Sequence, residues 1–98
     1  MDYIETFKTN GKNYIAAQSI KISKSPSSTQ RKYEFNQALK LKTQELEKYL
    51  SEQAENWENV AAQNGQIGIK PSLINEIRTL LREFKSNQID ILESIEGE

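Results

Sequence analysis

The fold of this chain is decided by residues 30–63, which read QRKYEFNQALKLKTQELEKYLSEQAENWENVAAQ. This stretch contains neither Gly nor Pro, and residues of high helix propensity dominate it. Its apolar residues recur at intervals of three, four and seven, which is typical of one face of an amphipathic helix. The stripe consists of Leu39, Leu46, Leu50, Ala54, Trp57 and Ala61. Because an α-helix rises ~1.5 Å per residue, the pattern predicts a single helix close to ~50 Å long.

A second helix is predicted over residues 71–95, after an interhelical loop at 64–70. Gly65 suits the left-handed residue that follows many helices, and Pro71 suits the first turn of a new helix. Further along, apolar residues return at intervals of three and four in a coiled-coil register, interrupted by the polar Gln88. The apolar members are Ile74, Ile77, Leu81, Phe84, Ile91 and Ile95. We therefore expect the two helices to form a long antiparallel hairpin.

Residues 2–22, which precede the long helices, carry the signals of a β-hairpin. An Asn-Gly pair ending at Gly11 lies between stretches with aromatic and β-branched residues, and this pair favours a type I′ turn. Residues 19–23 alternate between apolar and polar side chains with the period of a half-buried strand. We expect strands at about residues 2–8 and 13–22, with a disordered arm as the alternative. Since an isolated hairpin is marginal in water, these strands must pack on the helices or join another sheet.

A Ser- and Pro-rich connector at residues 23–29 separates the two parts, and one of its last three residues is expected to cap the first long helix. The alternation of Ile67 and Ile69 with polar residues and glycine has two interpretations, a simple interhelical loop or a short third strand. The predicted fold class is mainly α (α+β). A single domain over residues 1–98 contains an N-terminal β-hairpin followed by a long antiparallel two-helix hairpin.

The composition predicts that a single copy has a small stability margin. Hydrophobic residues make up 36% of the chain, against roughly 45–50% in a typical domain when Gly is counted. Two helices also leave one side of each apolar stripe uncovered, and pairing two hairpins into a four-helix bundle covers it. We therefore expect a homo-oligomer. The candidate seam residues are Leu46, Leu50, Trp57, Ile77, Leu81 and Phe84.

Residue types that carry catalysis are scarce in this sequence. It contains no His and no Cys, which removes imidazole bases, thiolate nucleophiles and thiolate metal ligands. Carboxylates at helical spacing, such as Glu45 and Glu52, share their faces with Lys and Arg and are interpreted as solvated, ion-pairing surfaces. The glycines form no phosphate-binding loop. We expect no enzyme activity, no cofactor and no metal.

Charge is distributed unevenly along the chain. Residues 1–42 carry a net charge of +5 and residues 43–98 carry −6, for a total of −1. Basic side chains around the connector are candidates for contacting phosphates or another anionic partner. They are Lys21, Lys24, Arg31 and Lys32. A sequence pI near 5.6 argues against non-specific binding of nucleic acid, and the same asymmetry would suit head-to-tail pairing of two copies.

These patterns favour a small non-enzymatic protein-binding module of the adaptor or inhibitor type, which acts as a homo-oligomer on an unidentified protein. The alternative is a small nucleic-acid-binding regulator that uses the basic N-terminal half. No apolar run approaches the ~18 residues that span a bilayer, and the N-terminus lacks the pattern of a signal peptide. We therefore expect a cytoplasmic protein without a membrane partner. No motif in the sequence identifies a family.

Overall fold

The computed structural model describes residues 1–97 and folds them into three α-helices. Helix α1 spans Tyr3–Ala16, α2 spans Ser28–Gln63 and α3 spans Lys70–Glu96. Together they comprise 79% of the chain, and the described residues contain no strand. The long helices α2 and α3 run antiparallel in a molecule 57 Å long, and α1 packs against both of them.

The predicted β-hairpin is wrong, and so is the α+β class, because the first predicted strand and the turn lie in helix α1. The side chain of Asp2 accepts a hydrogen bond from the backbone N–H of Glu5 at 3.0 Å and caps the helix. The buried residues of α1 recur every four positions, which is a helical period: Tyr3, Phe7 and Gly11. This period and the cap are sequence signals of a helix that compete with the Asn-Gly pair, and the packing of α1 against α2 and α3 decides between them.

Gly11 is a point of close approach between α1 and the other two helices. A Cβ atom at this position would lie 2.7 Å from Cδ1 of Leu80 on α3 and 3.4 Å from Cδ2 of Leu50 on α2. Both leucines are buried, with exposed fractions of 2% and 0%. The φ angle of Gly11 is not positive. Glycine therefore fits here because it lacks a side chain, and not because it can form a turn.

The segment between α1 and α2, residues 17–27, has no regular secondary structure and lies against the helices. Ile20 is buried while its two chain neighbours are exposed, so the alternation that suggested a strand reflects a segment with one side packed. The backbone N–H of Ile20 donates to Oε1 of Gln88 on α3 at 2.9 Å. The polar position in the α3 stripe thus satisfies a backbone group that a neighbouring strand would otherwise satisfy.

Helix α2 begins and ends at local signals. The Oγ of Ser27 accepts a hydrogen bond from the backbone N–H of Gln30 at 3.2 Å and caps the first turn. At the other end Gly65 has a φ of 80°, which is the left-handed conformation predicted for it. The N–H of Gln66 donates to the carbonyl of Ala61 at 2.8 Å, as in a Schellman motif. The connection to α3 is an interhelical loop, and the alternative of a third strand there is wrong.

Helix α3 buries a broader face than the predicted seam, and three of the seam positions are exposed. Three residues predicted for the seam are exposed instead: Ile74 by 38%, Ile91 by 47% and Ile95 by 46%. Three leucines, each next in sequence to a predicted seam residue, are buried as well: Leu73, Leu80 and Leu92. The cause is the third helix, since α3 packs against α1 as well as α2 and its buried face is broader than a two-helix seam.

Substituting Gly11 with valine is expected to lower the free energy of unfolding by about 1–3 kcal/mol, because the added side chain overpacks the contact with Leu80. Gly11→Ala should stay within about 1 kcal/mol of the parent, since its gain in helix propensity offsets the displacement of one leucine methyl group. Urea denaturation followed by circular dichroism measures both values. Asn13→Val, at an exposed position of the same helix, is the matched control. Equal stability of Gly11→Val and the parent would contradict this packing of α1.

Candidate functional site

The four basic candidates around the connector do not form a single free cationic patch. Lys21, Lys24 and Lys32 are exposed. Arg31 is half-buried and paired with Glu96 near the end of α3, with its Nε and Nη2 donating to the two carboxylate oxygens at 2.9 Å each. One of the four charges is therefore neutralised inside the fold.

The pair of Arg31 and Glu96 works as a clasp between the connector and the ends of two helices. Nη1 of Arg31 donates to the backbone carbonyl of Ser25 at 2.6 Å, and Oγ of Ser28 donates to Glu96 at 3.0 Å. Hydrogen bonding from Arg31, with a smaller contribution from Ser28, lowers the pKa of Glu96 to about 2. The same bond raises the pKa of Arg31. This arrangement holds the start of α2 against the end of α3.

The six residues proposed for an oligomer seam lie mainly in the interior of a single chain. Five of them are less than a tenth exposed, namely Leu46, Leu50, Ile77, Leu81 and Phe84. Trp57 is half-buried, and its ring centroid lies 6.1 Å from that of Tyr3 on α1. Helix α1 thus supplies part of the cover that the sequence pattern assigned to a second chain.

Helix α1 covers one flank of the α2–α3 hairpin, and the other flank is an open groove. The crevices beside α1 are lined by Tyr49 and Gln53 from α2 and by Glu83 and Asn87 from α3. The groove on the other flank has a volume of about 600 Å³. It is lined by Glu47, Ser51, Ile74, Ile77, Arg78, Leu81, Arg82 and Lys85.

The floor of the groove is apolar, and another helix can pack closely against it. It is formed by Ile74, Ile77 and Leu81 from α3, and Ile74 is 38% exposed. On the α2 side, the small residues Ser51 and Ala54 line the groove and its extension toward the interhelical loop. Because their side chains are short, another helix can come close to the floor here.

The two edges of the groove carry opposite charges. The basic rim, on α3, consists of Arg78, Arg82 and Lys85, and the acidic rim, on α2, consists of Glu47 and Glu55. All five side chains are exposed, and none forms an ion pair with a residue in the range 1–97. Toward the start of α2, Lys40 and Gln44 join Glu47 in lining this flank. The charged groups of both rims are therefore free to be solvated by water or to pair with charges on another molecule.

The basic rim was not among the candidates drawn from the sequence, where the Lys and Arg side chains on the helical faces were interpreted as parts of solvated, ion-pairing surfaces. Its signal is the spacing of four and then three residues from Arg78 to Arg82 to Lys85, which places three cations on one helical face. The charge balance of the whole C-terminal half is negative, and that average conceals this row of cations.

Other features that would point to a known class of protein are few. No group of three or more metal-ligating side chains occurs within residues 1–97. In the same range, no helix has both the length and the apolar character needed to cross a membrane. No family model, curated protein or solved structure matches this chain. The groove is therefore the feature from which a function is proposed.

The contribution of the clasp to stability is expected to disappear in acid. In the unfolded chain Glu96 protonates near its ordinary pKa of 4.5, whereas in the folded chain its pKa is about 2. The stabilisation is thus complete above the unfolded pKa and is lost as the pH falls from about 4.5 toward 2. Urea midpoints of the parent and of Glu96→Gln, measured across this range, should differ most at neutral pH and converge in acid. A difference that is independent of pH would contradict the assignment, and Glu93→Gln, at an exposed position of α3, serves as the control.

Proposed function

We propose that this chain is a non-enzymatic protein-binding module of the adaptor or inhibitor type, which receives a helical surface of its partner in the α2–α3 groove. The observation that carries this proposal is the groove itself, with its apolar floor between two oppositely charged rims. Apolar area supplies the affinity of such a contact, and charges at the edge set its orientation and its choice of partner.

The shape of the groove favours a helix as the bound element. A groove between two antiparallel helices accepts the apolar face of a third helix, which inserts its side chains between theirs. The chain contains one example of this packing, because α1 occupies the other flank of the same hairpin and comes close at Gly11. On the open flank the short side chains of Ser51 and Ala54 permit a similar approach.

Binding of nucleic acid is less favoured by the charges. A phosphate backbone drawn to Arg78 and Arg82 would also meet Glu47 and Glu55 across the groove, and like charges oppose that contact. Of the basic candidates near the connector, Arg31 is already paired with Glu96. An enzymatic role has little support either. The carboxylate with a strongly lowered pKa is that of Glu96, which belongs to the clasp and lies outside the groove.

A photocrosslinking side chain placed at Ile74 is expected to capture a partner protein in living cells that produce this chain. The same side chain placed at Ile91, an isoleucine of α3 with comparable exposure that does not line the groove, is the matched control. The Ile74 adduct should disappear when Arg78 and Arg82 are changed to Glu. Identical adducts from both positions, or an Ile74 adduct that is insensitive to the charge reversal, would count against a groove-binding function.

A further inference from the structure

We infer that the occupant of the groove is a second copy of this chain, packed with α2 of each copy against α3 of the other. This inference rests on the proposed function and specifies the partner. The copies would be related by a twofold axis parallel to the long helices. The result is a four-helix core with α1 of each copy on the outside.

The positions of the charges along the groove are what identify the second copy. Glu47 lines the groove together with Arg82 and Lys85, and it lines the neighbouring crevice toward the start of α2 together with Lys85, so these side chains lie at similar heights along the hairpin. Nearer the interhelical loop, Glu55 lines the extension of the groove together with Lys70. Each acidic position therefore has a basic position near it on the neighbouring helix.

Two face-to-face arrangements of identical hairpins are possible, and they differ in the charges that meet. An axis parallel to the helices preserves height and places α2 opposite α3 of the other copy, so Glu47 meets Arg82 and Lys85. An axis across the helices places α2 on α2 and α3 on α3, which brings Glu47 and Glu55 near their own equivalents and sets the basic rims against each other. Like charges across an interface are strongly unfavourable, and the first arrangement is selected.

Neighbouring helices also run in opposite directions throughout the selected arrangement. Within a copy α2 and α3 are antiparallel, and exchange about the parallel axis makes α2 antiparallel to the facing α3 as well. Antiparallel neighbours have opposed helix dipoles, and this is the usual arrangement in four-helix bundles.

The size and total charge of the molecule are compatible with such a dimer. The molecule measures 57 × 19 × 18 Å, so one long face covers roughly 1,000 Å², compared with the ~800 Å² that each partner buries in a standard interface. The net charge of −1 generates little repulsion between copies. Ile74, the exposed part of the groove floor, would lie inside the contact.

Charge reversal on one rim at a time tests this inference. The basic-rim variant carries Arg78→Glu, Arg82→Glu and Lys85→Glu together with Lys70→Glu, the basic position paired with Glu55, and the acidic-rim variant carries Glu47→Lys and Glu55→Lys. All six positions are exposed, so both variants should fold, and circular dichroism verifies this. Each variant alone would bring like charges together, and we expect its dimer dissociation constant to rise by about 100-fold or more.

An equimolar mixture of the two variants should recover the dimer, because the all-acidic groove of one then faces the all-basic groove of the other. Analytical ultracentrifugation should give about twice the chain mass of 11.3 kDa for the parent and for the mixture, and a single chain mass for each variant alone. Glu52→Lys, an exposed reversal on α2 outside the groove, should leave the dimer unchanged.

A variant carrying both sets of reversals distinguishes the two axes. It should pair with itself but not with the parent, because in the selected arrangement each mixed contact joins rims of the same sign. Free mixing of this variant with the parent would overturn the arrangement.

A parent that remains monomeric up to roughly 100 μM would overturn the inference of a second copy. Groove-specific adducts of Ile74 with a different protein would still support the proposed function in that case. A dimer that persists in both single-rim variants would also overturn the inference, and the proposed function would fall with it only if Ile74 gave no groove-specific adduct.

Discussion

The close approach of α1 to the hairpin at Gly11 determines which surfaces of this molecule are closed and which stay open. Without a side chain at that position, the α1 backbone comes close to Leu50 and Leu80 at the same time, and the apolar stripes of α2 and α3 turn toward it. Since a helix has a limited apolar arc, contact with α1 uses part of it and leaves only a narrow apolar floor on the opposite flank, formed by Ile74, Ile77 and Leu81. The open groove is the consequence of this packing of α1 on one flank of the hairpin.

Polar contacts fix the rest of the chain onto this three-helix core. Gln88 accepts a hydrogen bond from the backbone N–H of Ile20 inside the protein. At the far end of the hairpin, Arg31 donates hydrogen bonds to both Ser25 and Glu96. Buried or half-buried hydrogen bonds of this kind contribute modestly when formed and are costly to leave unmade. They hold the segment between α1 and α2 in place although it has no regular secondary structure.

The same division of surfaces explains why the charged groups are arranged as they are. Charges on the flank beside α1 lie at the edges of a contact that the chain completes by itself. On the open flank, by contrast, Arg82 and Glu47 face each other across an apolar floor without an ion pair in the described chain. These two groups can form ion pairs with a second surface whose acidic and basic rims are exchanged. The groove of another copy, turned to face the first, presents its rims in that order.

The sequence by itself determined the two long helices, because their signals are local. A run without Gly or Pro, a connector whose last three residues can each cap a helix, and the left-handed Gly65 specify where α2 begins and ends within two residues of the predicted bounds, and the structure selects Ser27 as the cap. Only the tertiary structure decided that the N-terminal segment is a helix and that α3 turns Leu80 inward and Ile74 outward. An Asn-Gly pair is compatible with a turn or a helix, and which arc of an amphipathic helix is buried depends on the neighbours it meets. The groove was unpredictable for the same reason, since its floor and rims belong to two helices whose relative rotation is set by α1.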